Sequence, residues 1–396
     1  MSQIAEVFIY DAVRTPTGNY GGGLSSIRPD DLASHVIAAL LERSPNIDPR
    51  TIDDVILGNA NGAGEENRNV ARMAALLAGL STSTPGTTVN RLCGSGLEAV
   101  ANASRALAMD EAEIIIAGGV ESMSRAPWVI AKPEKGFPRG NETMFSTTLG
   151  WRFVNPKMAP EWTISLGGGA ELLAEKYSIS RDEQDLFAYE SHMRAENAWE
   201  SGFFDNEVVP HPDSELKRDE SIRHTTSIES LAKLKPAFKP DGTVTAGNAS
   251  PLNDGASAVI LGTAKSESKV GRAPIARIVS RGSAAIQPQL YGIGPVEAAN
   301  QALKRANLKW SDLKFVELNE AFAAQSLACL KLWDELDPAK LNPSGGAIAL
   351  GHALGSSGSR LLATMVNNLK RAGGGYGLIT LCIGVGQGVA LIIEAQ

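Results

Sequence analysis

At 396 residues the chain is long for one simple core, so two or three packed units are expected. Its 43% apolar and 20% charged residues argue against disordered and fibrous classes. A net charge of -7 argues against broad electrostatic binding to nucleic acid or to an anionic membrane.

Residues 4–10 read as a strand rather than as a charged lead into an apolar signal core. No apolar run approaches the roughly 20 residues that span a bilayer, so a reducing, cytoplasmic setting is the simplest reading. Strands are expected at residues 7–10 and 55–57. Between them a helix over residues 31–42 places Leu32, Val36, Ala39 and Leu40 on one face, with Asp30 or Asp31 as its cap. A helix over 69–80 follows, then a short strand at 87–90 running into Cys93-Gly-Ser-Gly. A helix from about 96 to 109 and an apolar strand at 113–117 ending in Gly118-Gly119 complete the pattern. This alternation is the signature of an α/β fold.

From about 125 to 247 the composition changes to Pro, Trp and charged residues, and the stretch reads as an inserted, loop-rich lobe with a helical segment at 172–199. Strand character returns at 243–247 and strongly at 256–261. The last third resumes the alternation. Strands are expected at 274–280, 315–318 and 378–382, and helices at 296–306, from Asn319 to about 333, and at 359–372. A weak echo links the halves. Gly96 and Gly358 each open a helix that leads to a strand, 18 and 20 residues on respectively, which fits a duplicated unit.

Three cysteines, at 93, 329 and 382, have no paired ligand spacing and are odd in number, so neither a metal site nor a disulfide framework is expected. Cys93 follows a strand and opens a helix, where the helix dipole would favour a thiolate. The plain alternative is a small core residue. His352, among five histidines, is the one embedded in glycines; it is either approached closely by a ligand or caps the next helix. Cys382 ends a strand before Gly384, Gly386 and Gly388, a common place for a reactive group in α/β proteins. Asn319, read in isolation, is an N-cap. Cys329 lies in an apolar helix and reads as core.

Six motifs then occur in one order: Thr88-Val-Asn-Arg-Leu-Cys-Gly-Ser-Gly, Gly118-Gly-Val-Glu-Ser-Met-Ser, Thr245-Ala-Gly-Asn-Ala-Ser, Asn319-Glu-Ala-Phe-Ala, Gly345-Gly-Ala-Ile-Ala-Leu-Gly-His and Cys382-Ile-Gly-Val-Gly-Gln-Gly. Together they resemble the thiolase family over essentially the whole chain. The resemblance implies two similar α/β halves in a five-layered αβαβα sandwich: residues 1–270, with a loop domain at about 125–249, and residues 271–396. It implies Cys93 as the acylated nucleophile, His352 as its base, and Cys382 as the acid/base that serves the enolate. Asn319 would hold a water that forms one oxyanion hole with His352. The N–H groups of Cys93 and Gly384 would form the other. Coenzyme A enters as a co-substrate, with no resident cofactor or metal. Arg223, otherwise an ordinary surface charge, would meet its nucleotide end, Ser250 and Ala246 its pantetheine, and Phe238 and Phe322 would line the pocket. A homodimer or homotetramer is implied, and acyl-CoA and CoA are the expected partners.

The chain departs from the family pattern at Ala353, Pro251, Tyr291 and Ser165-Leu-Gly-Gly-Gly-Ala-Glu. Two runs, Glu65-Glu-Asn-Arg-Asn-Val-Ala-Arg-Met and Thr147-Thr-Leu-Gly-Trp-Arg-Phe-Val-Asn-Pro, resemble 3-oxoadipyl-CoA (β-ketoadipyl-CoA) thiolases more than acetoacetyl-CoA enzymes. A distal substrate carboxylate would then need a cation. Arg152 is the candidate, against a structural salt bridge, with Tyr291 as a further hydrogen-bond donor. The other readings are an acetoacetyl-CoA thiolase, a decarboxylating condensing enzyme of the same fold, and an inactive CoA-binding protein. Condensing enzymes use one Cys with two His, or with His and Asn, so Cys382 favours the thiolase.

Overall fold

A computed structural model describes residues 5–396. In chain order its strands are β1 (Val7–Arg14), β2 (Gly18–Asn19), β3 (Asp54–Gly58), β4 (Gly86–Val89), β5 (Ile114–Ser122), β6 (Trp128–Ile130), β7 (Met144–Ser146), β8 (Asn253–Gly262), β9 (Ala276–Ala285), β10 (Leu313–Leu318), β11 (Gly375–Ile383) and β12 (Gln387–Ala395). Its helices are α1 (Pro29–Arg43), α2 (Val70–Leu77), α3 (Ser95–Ala108), α4 (Leu166–Lys176), α5 (Arg181–Glu200), α6 (Ile228–Ala232), α7 (Glu267–Val270), α8 (Gly294–Ala306), α9 (Ala323–Leu332), α10 (Ala347–Leu350) and α11 (Leu354–Arg371).

The main strands form one continuous sheet in the order β10-β11-β12-β9-β1-β8-β5-β3-β4. Its two halves meet where Val7, Phe8 and Ile9 pair with Ile278, Arg277 and Ala276. Strand periodicity builds the layers, because successive residues face opposite sides. Ile115 and Ala117 of β5 turn toward α3 and α11, while Ile114 and Ile116 turn toward α1 and α2. In β11, Ile379 and Leu381 turn toward α3 and α11, and Leu378 toward α8 and α9. The result is five layers: α1/α2, half-sheet, α3/α11, half-sheet, α8/α9.

The central layer is held at backbone distance. A Cβ on Gly358 would lie 2.1 Å from Leu97 N, one on Gly96 2.6 Å from Gly355 O, and one on Gly119 1.9 Å from Gly355 O. Gly118-Gly119 therefore sits inside β5, which runs on to Ser122, rather than ending the strand as expected. Close approach of α11 and β8 requires these glycines.

Other expectations are also corrected. α1 starts at Pro29, with Arg28 at its N-cap and no capping side chain; Asp30 and Asp31 lie inside its first turn. The helical segment at 172–199 is two helices, α4 and α5, each started by a serine cap, Ser165 and Ser180. Residues 243–247 form no strand. Asn248 folds them into a turn by accepting from Thr245 N at 2.8 Å and donating to Thr243 O. Asn319 does not cap α9, whose N-cap is Phe322. Among the described residues no helix is long and apolar enough to cross a membrane.

Candidate active site

Cys93 lies in a turn between β4 and α3. Ser95 Oγ accepts from Arg91 N at 2.8 Å and donates to Leu92 O at 2.6 Å, which closes the turn. Leu92 is forced to φ +48°, a conformation disfavoured for a branched side chain. Across the pocket, Gly384 follows β11, and Val385 beside it sits at φ +63°. These two strained turns aim the N–H groups of Cys93 and Gly384 at the Cys93 sulfur, which both stabilise as an anion.

The helix-dipole expectation for Cys93 does not hold. The thiol is buried, and desolvation outweighs the nearby N–H groups, pushing it up to about 11. Cys382, the penultimate residue of β11, is buried and is also raised, by burial first and then by proximity to Cys93. It does not stay near an ordinary thiol value. Both sulfurs therefore rest protonated at neutral pH. Cys329 is core, as expected, with its S–H donating to Gly292 O.

His352 sits between α10 and α11 and does not cap α11, whose N-cap is Ala353. Its N–H donates to Asn253 Oδ1 at 2.8 Å. Ser357 Oγ donates to Ala353 O at 2.8 Å and lies 2.6 Å from His352 Nδ1. A hydroxyl has one hydrogen; with that of Ser357 on Ala353 O, Nδ1 is the donor toward Ser357 and Nε2 keeps its lone pair. Asn319 Nδ2 faces that lone pair at 3.3 Å. Burial, with the Arg360 charge second, lowers the imidazole to about 3. The ring is thus neutral, with Nε2 basic. Asn319 N–H donates to Thr380 O, two residues before Cys382, so these two groups stand at the ends of adjacent parallel strands, β10 and β11.

Sequence reasoning missed the side chains that hold this arrangement. Glu320, buried, accepts from Ser191 Oγ, Asn342 Nδ2 and Ile348 N, pinning the turn after β10 to α10. Ser357 lay in the same glycine-rich run as His352, which was the available signal. Nothing local in the sequence marks Asn253.

Of the residues expected to meet coenzyme A, Arg223 and Ala246 share one cleft. Arg223, Ala246, Ala249, Pro251 and His192 line it. Ser250 lies between two of these, and its N–H donates to Ala321 O. Phe238 and Phe322 meet edge-on at 5.9 Å. The Arg223 guanidinium is exposed and has no carboxylate partner among the described residues. A larger cleft, about 470 Å³, is lined by Arg28, Glu65 and Arg125. Glu65 already engages both arginines there.

The description "Thiolase, N-terminal domain" matches residues 7–265, and "Thiolase, C-terminal domain" matches residues 272–395. The chain belongs to the thiolase family. It is 52% identical to a Beta-ketoadipyl-CoA thiolase of Pseudomonas aeruginosa, covering 98% of this chain and 99% of that one. It is 51% identical to a 3-oxoadipyl-CoA/3-oxo-5,6-dehydrosuberyl-CoA thiolase of Escherichia coli, over the same shares. The solved human mitochondrial 3-ketoacyl-CoA thiolase in complex with CoA superposes with a TM-score of 0.93 at 40% identity, covering 100% of this chain and 99% of that one.

Three of the four departures of this thiolase make defined contacts. Ala353 O anchors Ser357. Gly167 and Gly169 in α4 make room for rings: a Cβ there would lie 2.2 Å from Phe238 and 2.7 Å from Tyr291. Tyr291 is buried and donates its one hydroxyl proton to Leu166 O at 2.8 Å. It cannot also donate to a substrate carboxylate, contrary to expectation. Arg152 forms no ion pair among the described residues, so the salt-bridge alternative fails. Its guanidinium donates to Asn61 Oδ1 at 3.1 Å.

Proposed function

We propose that this enzyme cleaves a 3-oxoacyl-CoA with coenzyme A, and runs the reverse condensation, through an acyl-Cys93 intermediate. Support comes above all from the burial of Cys93, Cys382 and His352, with Cys382 close enough to Cys93 to feel its charge and His352 Nε2 facing Asn319. His352 Nε2 takes the Cys93 proton as the sulfur attacks the ketone carbon. Asn319 and His352 face the oxyanion formed there. The C2–C3 bond then breaks, leaving the acyl group on Cys93. The departing enolate of acetyl-CoA takes the Cys382 proton, while the N–H groups of Cys93 and Gly384 stabilise its charge. The proton on His352 passes to Cys382, the thiol of incoming coenzyme A gives its proton to His352, and its sulfur displaces Cys93 from the acyl group, the released Cys93 taking that proton back from His352. A Cys382 held protonated by burial suits a donor, and a neutral His352 suits an acceptor.

The substrate we infer is 3-oxoadipyl-CoA, giving succinyl-CoA and acetyl-CoA, on the strength of the relatives' names and of Arg152. That guanidinium is half-buried without a carboxylate. Asn61, which holds it, is itself fixed by Thr147 and Glu121. Thiolysis rates over a panel of 3-oxoadipyl-CoA, acetoacetyl-CoA and longer 3-oxoacyl-CoA test this. Preference for acetoacetyl-CoA would overturn the substrate and leave the reaction class standing.

We further infer a division into halves near residue 270, supported by the limits of the two family matches. We also infer a homodimer or homotetramer, supported by the exposed apolar side chains of the β6–β7 hairpin and the loop after it: Trp128, Ile130, Met144, Leu149 and Phe153. Light scattering on the purified protein tests the assembly; a monomer would overturn it.

A further inference from the structure

Glu121 is a buried carboxylate in β5, with no role in the steps above. It accepts from three backbone donors in two separate segments: Ala60 N at 2.9 Å, Asn61 N at 3.1 Å and Gly355 N at 2.9 Å. Gly355 lies three residues after His352. Ala60 and Asn61 follow β3, and that segment reaches the nucleophile turn. Ala60 O accepts from Asn90 Nδ2 at 2.9 Å, and Asn90 Oδ1 accepts from Leu92 N at 2.9 Å, next to Cys93. One carboxylate thus ties the turn of the base to the turn of the nucleophile. The glycines around it leave no slack, since Gly119 and Gly355 meet at backbone distance.

A carboxylate is the side chain that fits these partners, because all three are donors and it has only acceptors to offer. Burying it is costly unless its oxygens are paired, and burial does raise it, to about 7. An apolar residue of similar size would fill the space without that cost but would leave three N–H groups unpaired.

We propose that Glu121 is a positioning residue for the reaction, fixing His352 relative to Cys93 through Gly355 and the Ala60–Asn90 link. The proposal rests on the assignment of Cys93 and His352 as nucleophile and base. It concerns the proton transfer between them and not the binding of coenzyme A, whose cleft at Arg223, Ala246 and Pro251 shares no residue with this network.

The test is Glu121→Gln, with Glu121→Asp beside it. Gln keeps one acceptor oxygen but turns an amide N–H₂ on a backbone donor. Asp keeps the charge but is one methylene too short to span both segments. Misplacement of reacting groups by about 1 Å costs on the order of a hundredfold in rate. Both variants should therefore lose at least roughly tenfold in kcat and in the rate of Cys93 acetylation by acetyl-CoA. KM for coenzyme A should stay within about twofold, since the loss falls on the transition state alone. Circular dichroism and melting temperature confirm that the folded enzyme is being compared.

Retention of parental kcat in either variant would overturn the proposal. So would a loss of kcat matched by an equal rise in KM for coenzyme A, which would mark general disruption. If Gln is poorly folded, the folded Asp variant alone decides. Failure of the nucleophile assignment is distinguished separately: parental enzyme that carries no acetyl group on Cys93 would sink that reading, whatever the variants do.

Discussion

Ser357 Oγ stands 2.6 Å from His352 Nδ1 and spends its own hydrogen on Ala353 O, 2.8 Å away. That pair of bonds leaves the basic lone pair on Nε2, facing Asn319. Ser357→Ala frees the ring to adopt the other tautomer. A neutral hydrogen bond is worth about 0.5–1.5 kcal/mol, so kcat should fall up to roughly tenfold. Pre-steady-state acetylation of Cys93 should show the same loss. Unchanged acetylation would mean that the tautomer is set elsewhere.

Cys93→Ala should abolish turnover with the fold retained, because no other group is placed to carry the acyl chain. Mass spectrometry of enzyme quenched with acetyl-CoA should find the acetyl group on Cys93. Finding it on Cys329 would contradict the assignment.

Removing the second thiol separates the half-reactions. Cys382→Ser leaves a hydroxyl, far too weak an acid at neutral pH. Carbon–carbon cleavage should fall about a hundredfold or more, the usual worth of general acid–base help. Exchange of acetyl groups between acetyl-CoA and a coenzyme A analogue runs through acetyl-Cys93 without forming an enolate. It should be largely spared. Equal losses in both assays would deny Cys382 a separate role.

Burial sets the pH dependence of the nucleophile. With Cys93 pushed up to about 11 in the free enzyme, the thiolate grows as pH rises above the usual thiol range of about 8.5. Alkylation of Cys93 by iodoacetamide should therefore keep accelerating beyond pH 9. A midpoint below pH 8 would show that the N–H groups of Cys93 and Gly384 outweigh desolvation.

Arg152→Ala tests the substrate. A hydrogen bond to a charged group is worth roughly 1.5–3 kcal/mol. KM for 3-oxoadipyl-CoA should then rise about tenfold or more relative to acetoacetyl-CoA, which has no distal charge. Equal effects on both substrates would make Arg152 a structural residue.

The strands were legible in the sequence because burial on both faces leaves long apolar runs, as in residues 256–261 and 378–382, which lie inside β8 and β11. The candidate site residues could be named because six motifs fall in one order. What escaped was non-local. Residues 243–247 look extended, but Asn248 folds them into a turn and joins that turn to Asp185 of α5. Cys93 was misjudged in direction, since its protonation is decided by burial, and no local pattern reports how dry a pocket is. Tyr291 was misread because its partner, Leu166, lies 125 residues away.

The glycine contacts between α3 and α11 have a consequence for how the enzyme can be altered. One helix begins beside the nucleophile and the other beside the base, and they touch through main chain at Gly96, Gly355 and Gly358. Main chain cannot repack the way side chains do. A chimera that grafts the second half of a distant relative onto the first half of this one therefore inherits a fixed mating surface. A single methyl group on either side of it would spread the nucleophile from its base.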